Sequence, residues 1–246
     1  MCKESDAKRY LGIPGDYQYR AIHEGIFIQR VWHLDKIYLV EEKFDVASDD
    51  TVVEIGCGSG NLLSRMAKKA LLVMGVDISD AAIEFARQQC AGLHNVNFQL
   101  ASVGTMELQE GYYTKVVCQE VIEHLLEDEI DQLMSKSYEA LKSGGRLLIT
   151  TPNYSSLWPV IEYIMDKAEL SPPMAGHQHV TKFNMDKLKN CLTSFQFEII
   201  DAGGFNTVAP WVGFLPESLV KGINRFELNH ISVLGNLIYV IAQKLP

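Results

Sequence analysis

Short apolar segments alternate with amphipathic ones along most of this sequence, and this alternation constrains the fold more than any other feature. Five apolar segments are largely β-branched, as strands buried on both faces of a sheet are: residues 51–55, 71–76, 96–100, 115–119 and 146–150. Between them, residues 61–69, 80–91 and 127–141 space their apolar side chains as helices do. The alternation predicts an α/β fold with a doubly wound, mostly parallel sheet.

The C-terminal part of the chain predicts a different ending to the sheet. Residues 187–194 have helical spacing, and residues 198–202 and 237–242 have the pattern of strands. We predict no long helix in the connection between these two strands, residues 203–235. Two successive strands without a helical crossover predict a closing antiparallel hairpin.

Charge and cysteine content argue against several classes of protein. The 246 residues carry a formal net charge of -9 without a long basic run, which disfavours a nucleic-acid partner. The five cysteines form no CxxC pair and indicate reduced, packed thiols rather than disulfides or a zinc site. Because the sequence has neither a secretory h-region nor an apolar run of about 18 residues, we expect a cytoplasmic protein with at most peripheral membrane contact. We also expect the protein to be a monomer or a homodimer.

A glycine-rich turn follows the first predicted strand, where the sequence from Glu54 to Asn61 reads E-I-G-C-G-S-G-N. Glycines at such a turn let the backbone adopt positive φ and approach a ligand closely. The dinucleotide fingerprint GxGxxG needs a glycine where Asn61 stands, and the phosphate-binding GxxxxGK[ST] is absent. The turn therefore argues against NAD, FAD and nucleoside triphosphates.

The glycine turn and four later segments, taken in order, resemble the motifs of class I S-adenosylmethionine (SAM)-dependent methyltransferases. The later segments are residues 73–79, 101–103, 118–125 (C-Q-E-V-I-E-H-L) and 142–152 (K-S-G-G-R-L-L-I-T-T-P). The resemblance covers roughly residues 49–153 and the closing strands. It implies a Rossmann-like sheet of seven strands with an antiparallel last strand, with SAM as cofactor and S-adenosylhomocysteine (SAH) as product.

The same resemblance implies a set of cofactor-binding residues. Asp77, about 20 positions past the glycine turn, is suited to accept both ribose hydroxyls. Glu54 would help to place the methionine moiety, or would instead bind the neighbouring backbone at the end of the strand. Ser102 stands where the family often has an acidic contact to the adenine amino group. The full predicted set is Glu54, Gly56, Cys57, Gly58, Gly60, Asp77, Ile78, Ser102 and Gln119.

The segment after the fourth strand indicates which atom is methylated. Residues 119–122 read Q-E-V-I, where amino-methylating members of the family carry Asn/Asp-Pro-Pro-aromatic. The stretch E-V-I-E-H resembles ubiquinone-pathway O-methyltransferases and small-RNA 2′-O-methyltransferases, which act on oxygen. We expect O-methylation of a small, apolar, hydroxylated acceptor such as a quinone precursor, lipid or natural product. A metal-dependent RNA 2′-O-methyltransferase and a non-catalytic SAM-binding subunit are the alternatives.

Glu120, Glu123 and His124 are the candidate catalytic residues. If a helical turn begins at Glu120, they lie at i, i+3 and i+4 and share a face toward the cleft. His124 could then act as a general base, or the three could hold Mg²⁺ or Mn²⁺. The resemblance to the small-RNA enzymes adds a second histidine to the metal set, for which His179 fits better than His177. In a third interpretation the carboxylates only cap the turn and His124 packs beneath SAM.

The remaining segments are assigned to the lid and the acceptor side. Residues 18–44 have roughly helical spacing, so we interpret residues 1–48 as an N-terminal helical lid and 49–246 as the SAM-binding domain. Within that domain, residues 154–180 and 203–235 are interpreted as substrate-side insertions, because both contain aromatic and apolar runs. The aromatic residues expected near the ligands are Tyr19, Trp32, Trp158, Trp211 and Phe214.

Overall fold

The computed structural model describes residues 13–167, 178–230 and 234–246. Its helices are Tyr17–His23 (α1), Phe27–Leu39 (α2), Asn61–Met66 (α3), Asp80–Gln89 (α4), Glu127–Ala140 (α5), Trp158–Lys167 (α6), Met185–Ser194 (α7) and Glu217–His230 (α8). Its strands are Thr51–Ile55 (β1), Leu72–Asp77 (β2), Val96–Leu100 (β3), Tyr113–Gln119 (β4), Leu141–Pro152 (β5), Phe197–Phe205 (β6) and Leu237–Lys244 (β7). None of the helices within these ranges has both the length and the apolar character needed to span a membrane.

The seven strands form one sheet in the order β3-β2-β1-β4-β5-β7-β6. Strands β1 to β5 pair in parallel, and β7 runs antiparallel to both β5 and β6. The predicted doubly wound sheet with an antiparallel last strand is therefore confirmed. The strand order reverses between β1 and β4, and open α/β sheets bind ligands at the carboxyl ends of the strands at such a reversal.

Helices on both faces bury the central strands, which explains why these strands read as unbroken apolar runs rather than as alternating patterns. In β1, Val53 and Ile55 pack into one core and Val52 into the other. Strand β7 divides in the same way, with Val240 in the first core and Ile241 in the second. The period of two along each strand thus fills two separate cores, one on each side of the sheet.

Helix α8 lies in the connection between the last two strands, so the prediction of no long helix there is wrong for the described residues. The buried positions of α8 are Val220, Asn224, Glu227 and Leu228. Two of these four are polar, and the apolar spacing that would reveal the helix is correspondingly weak. Pro216, directly before the helix, was the available start signal.

The polar face of α8 fixes the loop that follows β6, and α8 contacts α2. Both oxygens of the buried Glu227 carboxylate accept hydrogen bonds from backbone amides, including Thr207 at 3.0 Å and Val208 at 2.6 Å. Asp35 of α2 is fully buried beside this group, and no described residue makes a hydrogen bond of good geometry to either of its oxygens. Burial and the charge of Glu227 raise the pKa of Asp35 well above its usual range.

We expect Asp35→Asn to stabilise the protein at alkaline pH. A carboxyl group whose pKa is raised by folding stabilises the protein below its unfolded pKa, near 3.8 here, and this contribution is lost as pH rises through the folded pKa. The isosteric amide has no charge to bury, so the free energy of unfolding at pH 8 should rise by about 1 kcal/mol and depend less on pH. Urea unfolding across pH 5 to 9 measures the free energy of unfolding and its dependence on pH. Asp49 is exposed, so Asp49→Asn serves as the control. A loss of stability at pH 8 would contradict the prediction.

Candidate active site

A cavity of about 460 Å³ opens at the carboxyl ends of β1, β2 and β4. The glycine turn and Asp77 line it, as do Trp32, His33 and Lys36 of α2. The segment after β4 and the helix α6 form further parts of its wall. The cavity therefore lies at the strand-order reversal, where the topology places a ligand.

The conformation of the turn after β1 explains its glycines. Gly56, Gly58 and Gly60 have φ values of +78°, +49° and +76°, which side chains rarely adopt. A Cβ on Gly56 would also lie 2.3 Å from a methyl group of Val121. Asp77 is held against this turn, because its carboxylate accepts a hydrogen bond from the Gly58 amide at 2.8 Å. The turn and the end of β2 thus form a single cradle of backbone and one carboxylate.

The predicted cofactor residues fall into two groups. Those that line the cavity are Gly56, Gly58, Asp77, Ile78, Ser102 and Gln119. The side chains of Glu54 and Cys57, and also Gly60, do not line it. The Cys57 thiol instead packs in a core, as expected for a packing residue, and the N-terminal cap of α3 is Gly60. Glu54 is buried, its Oε2 has no hydrogen-bond partner among the described residues, and burial and Asp77 raise its pKa.

The chain ahead of α1 lies across the glycine turn. Ser59 donates a hydrogen bond from its hydroxyl to the Gly15 carbonyl at 2.8 Å. Gly15 also packs so closely on the start of α4 that an added Cβ would lie 2.2 Å from the Ala81 carbonyl oxygen. Residues of this segment, including Pro14 and Tyr17, form part of the cavity wall. The first described residues of the chain therefore cover the turn directly.

Glu123, His124 and His179 form a cluster on the wall of the same cavity. Each offers one ligand atom, and these atoms all lie within 4.8 Å of one another. The His124 ring nitrogen Nδ1 is 2.9 Å from the Gln178 carbonyl, so it carries the proton, and Nε2 is 3.9 Å from Glu123 Oε1. Burial, followed by the neighbouring His179, lowers the pKa of His124 to about 4, whereas burial and Glu120 raise the pKa of Glu123.

A second pair of residues holds the His179 ring from behind. Its Nδ1 is 2.6 Å from Glu162 Oε1, and the Tyr154 hydroxyl donates to the same carboxylate oxygen at 2.8 Å. A carboxylate on one imidazole nitrogen fixes the tautomer and directs the other nitrogen away, an arrangement common behind metal-binding histidines. Sequence reasoning missed Glu162 and Tyr154. The lone acidic residue in the apolar run W-P-V-I-E-Y was the signal that could have revealed them.

Glu120 lines the cavity but lies outside this cluster. Its φ of +54° is left-handed, and only Ile122–His124 forms a turn of 3₁₀ helix. The prediction that a helical turn from Glu120 places three side chains at i, i+3 and i+4 is therefore wrong. Glu120 Oε1 instead accepts a hydrogen bond from the Thr150 hydroxyl at 2.7 Å. His177 lies outside the described residues.

Apolar side chains form most of the remaining wall near the cluster. The Trp32 and Trp158 rings lie 5.3 Å apart, centroid to centroid, and Trp158 also packs 6.0 Å from the His179 ring. At the mouth, the apolar side chains of Ile164 and Trp211 are about half exposed. Two of the aromatic residues expected near the ligands, Tyr19 and Phe214, do not line the cavity.

Comparison with known proteins identifies the class to which this fold and site belong. A family model described as a methyltransferase domain matches residues 32–198, more than half of the chain. The chain therefore belongs to the methyltransferase domain family, as the sequence motifs predict.

The curated relatives include ubiquinone biosynthesis O-methyltransferases. One from Nitrosomonas europaea is 29% identical over 137 residues, covering 53% of this chain and 57% of the relative. Another from Coxiella burnetii is 32% identical over 162 residues, covering 63% of this chain and 66% of the relative. An uncharacterized 37.1 kDa protein in transposon TN4556 of Streptomyces fradiae is 27% identical, with 39% of its length covered. The chain thus spans less than two thirds of the length of these relatives.

Solved structures confirm the fold. A SAM-dependent methyltransferase from Archaeoglobus fulgidus aligns with a TM-score of 0.63 at 22% identity, covering 93% of this chain and 99% of that one. A geranyl diphosphate C-methyltransferase from Streptomyces coelicolor, in complex with Mg²⁺, geranyl diphosphate and SAH, aligns with a TM-score of 0.63 at 17% identity, covering 94% and 86%. The seven-stranded sheet described above is therefore the class I methyltransferase fold.

Proposed function

We propose that this protein is a SAM-dependent O-methyltransferase that acts on a small, apolar, hydroxylated acceptor such as a quinone precursor, lipid or natural product. One observation carries the proposal: a single cavity joins the glycine cradle and Asp77 to the cluster of Glu123, His124 and His179. The apolar wall around the cluster suits an apolar acceptor, and the ubiquinone O-methyltransferase relatives support transfer to oxygen.

The cradle fits SAM. The left-handed glycines leave room for a ligand against the backbone, Asp77 would accept the ribose hydroxyls, and Ile78 and Ser102 would lie at the adenine. We also assign Glu54, at the end of β1, to the methionine moiety; its buried Oε2 has no hydrogen-bond partner among the described residues, although the side chain does not line the cavity. SAM supplies an electrophilic methyl group, so the residues of this chain need to position the acceptor oxygen, remove its proton and exclude water.

The cluster fits a divalent cation, which we propose to be Mg²⁺ or Mn²⁺. Hydrogen bonds at Nδ1 orient both imidazoles, Glu123 contributes a buried carboxylate, and no thiolate is present in the cluster. Such an ion would lower the pKa of an acceptor hydroxyl. The metal-free alternative keeps the same geometry and assigns proton removal to His124 alone.

Transfer of labelled methyl from SAM into a cell extract, with and without EDTA, tests the function and the metal together. The extract is acidified and separated into organic, small aqueous and RNA fractions. We expect label in the organic fraction, a decrease of about tenfold or more with EDTA, and recovery with Mg²⁺ or Mn²⁺ because the metal activates the hydroxyl. Label that still appears in the organic fraction after EDTA treatment would contradict the proposed metal requirement and favour His124 as the base.

RNA 2′-O-methylation remains the second candidate because His179 joins the cluster, as the resemblance to the small-RNA enzymes implies. The net charge of -9 and the apolar wall weigh against it. Label confined to the RNA fraction would replace the leading proposal with this one. If the protein binds SAH but labels nothing, the result would favour a non-catalytic SAM-binding subunit.

A further inference from the structure

Lys36 of the lid helix α2 occupies an unusual position on the cavity wall. Among the described residues that line the cavity, it is the only lysine or arginine. Its backbone carbonyl accepts a hydrogen bond from Gln119 Nε2 at 3.0 Å, which fixes this part of α2 against the end of β4. The backbone of α2 at Lys36 is therefore anchored next to the segment that carries Glu120 and Glu123.

The carboxylates of the cavity wall already have hydrogen-bond partners within the protein. Asp77 accepts from the Gly58 amide, and the hydroxyl groups of Thr150 and Thr151 donate to Glu120 and Glu123 respectively. Glu129 accepts from the Leu126 amide at 2.7 Å. These acidic groups are thus held in place by neighbours other than a lysine.

The Lys36 ammonium has no such partner among the described residues. Across the described residues it makes neither a hydrogen bond nor an ion pair, and Glu120 and Glu123 act on it only through space. Burial lowers the pKa of Lys36, and these two carboxylates offset part of the effect. Because an ammonium group without a partner is costly in an apolar environment, an anionic ligand group at this point would be strongly favoured.

We propose that Lys36 binds a carboxylate of the methyl acceptor, so that the acceptor is an apolar hydroxy acid rather than a neutral alcohol or phenol. The proposal rests on the proposed function and narrows its substrate class. SAM also carries a carboxylate. We assign the acceptor as the source because the two carboxylates that act on Lys36, Glu120 and Glu123, belong to the segment after β4 that contributes Glu123 and His124 to the cluster.

Binding measurements on Lys36→Met, Lys36→Arg and the wild type test the proposal without turnover. The probes are 3,4-dihydroxybenzoate and 3,4-dihydroxytoluene, which differ in the carboxylate, added to SAH-saturated protein. Quenching of the tryptophans on the cavity wall reports binding. We expect the wild type and Lys36→Arg to prefer the acid by about tenfold to a hundredfold and Lys36→Met to lose this preference. Equal affinities for both probes in the wild type would overturn the proposal.

A second pair of probes separates the acceptor from the cofactor. SAH and 5′-methylthioadenosine share the nucleoside, but only SAH has the amino-acid carboxylate. We expect Lys36→Met to leave both affinities unchanged. A selective loss of SAH affinity would assign Lys36 to the cofactor and overturn the proposal.

The labelled product gives an independent result. We expect product of the wild-type reaction to enter organic solvent at pH 2 but to stay in water at pH 9, as a carboxylic acid does. Product that is extracted equally at both values would overturn the acidic acceptor while leaving O-methylation intact. Failure of the wild type to bind SAH would instead reject the proposed function itself.

Discussion

Replacing Glu123 with glutamine is expected to lower the rate of methyl transfer by about a hundredfold to ten-thousandfold, the range typical for loss of a proton-transfer or metal-activating group. The amide keeps the size of the side chain and can still accept the Thr151 hydrogen bond, but it removes the negative charge from the cluster with His124 and His179. SAH affinity should remain unchanged, because Glu123 is not among the residues proposed to bind the cofactor. Initial rates with labelled SAM and calorimetric titration with SAH measure the two effects.

Glu127→Gln provides the matched control. Glu127 is exposed on α5, so this variant makes the same chemical change away from the cavity. Its rate should equal that of the wild type. Alanine variants at Glu120 and His124 extend the test. If these variants and Glu123→Gln all kept wild-type turnover, neither the base nor the metal role could stand.

Asp77→Ala should weaken SAH binding by about a hundredfold, since hydrogen bonds to a charged group contribute about 1.5 to 3 kcal/mol each. The carboxylate would bind the ribose, and it also accepts hydrogen bonds from the amides of Gly58 and Ser79. Its removal therefore loosens the glycine cradle as well as removing a ligand contact. Calorimetric titration with SAH measures the affinity.

Asp186 is exposed on α7, so Asp186→Asn serves as the control for this variant. It should bind SAH like the wild type. Unchanged affinity in Asp77→Ala would reject the proposed cofactor pose. Urea unfolding of both variants shows whether the loss reflects the site or the stability of the fold.

The fold could be predicted largely because its signals are local. Strand β1 is apolar throughout since both of its faces are buried, and the glycines after it are required by φ and by the closeness of Val121. These constraints act within a few residues, so they remain readable in the sequence. Helix α8 lacks this property, because its buried face includes the polar residues Asn224 and Glu227, and Glu227 binds the Thr207 amide 20 residues earlier in the chain.

Residues of the candidate site could be predicted only where they lie together in one segment or where the family resemblance supplied them. Glu123 and His124 are neighbours in the sequence, and the resemblance suggested His179. The support from Glu162 and the position of Lys36 depend on α6 and α2 meeting over the end of β4, a tertiary arrangement without a local signal. The prediction for Glu120 was wrong for a different reason. The left-handed backbone conformation of this glutamate is not apparent from the residues next to it in the sequence.

The segment across the glycine turn has a consequence for the order and speed of ligand exchange. The hydrogen bond from Ser59 to Gly15 ties the segment ahead of α1 to the glycine turn, where we propose that the cofactor binds, so this segment would have to move aside for the cofactor to enter or leave. Each catalytic cycle would then include an opening step unrelated to methyl transfer. Where this opening is slower than methyl transfer, release of SAH sets the turnover number, and pre-steady-state experiments would show a burst of product before the slower steady rate.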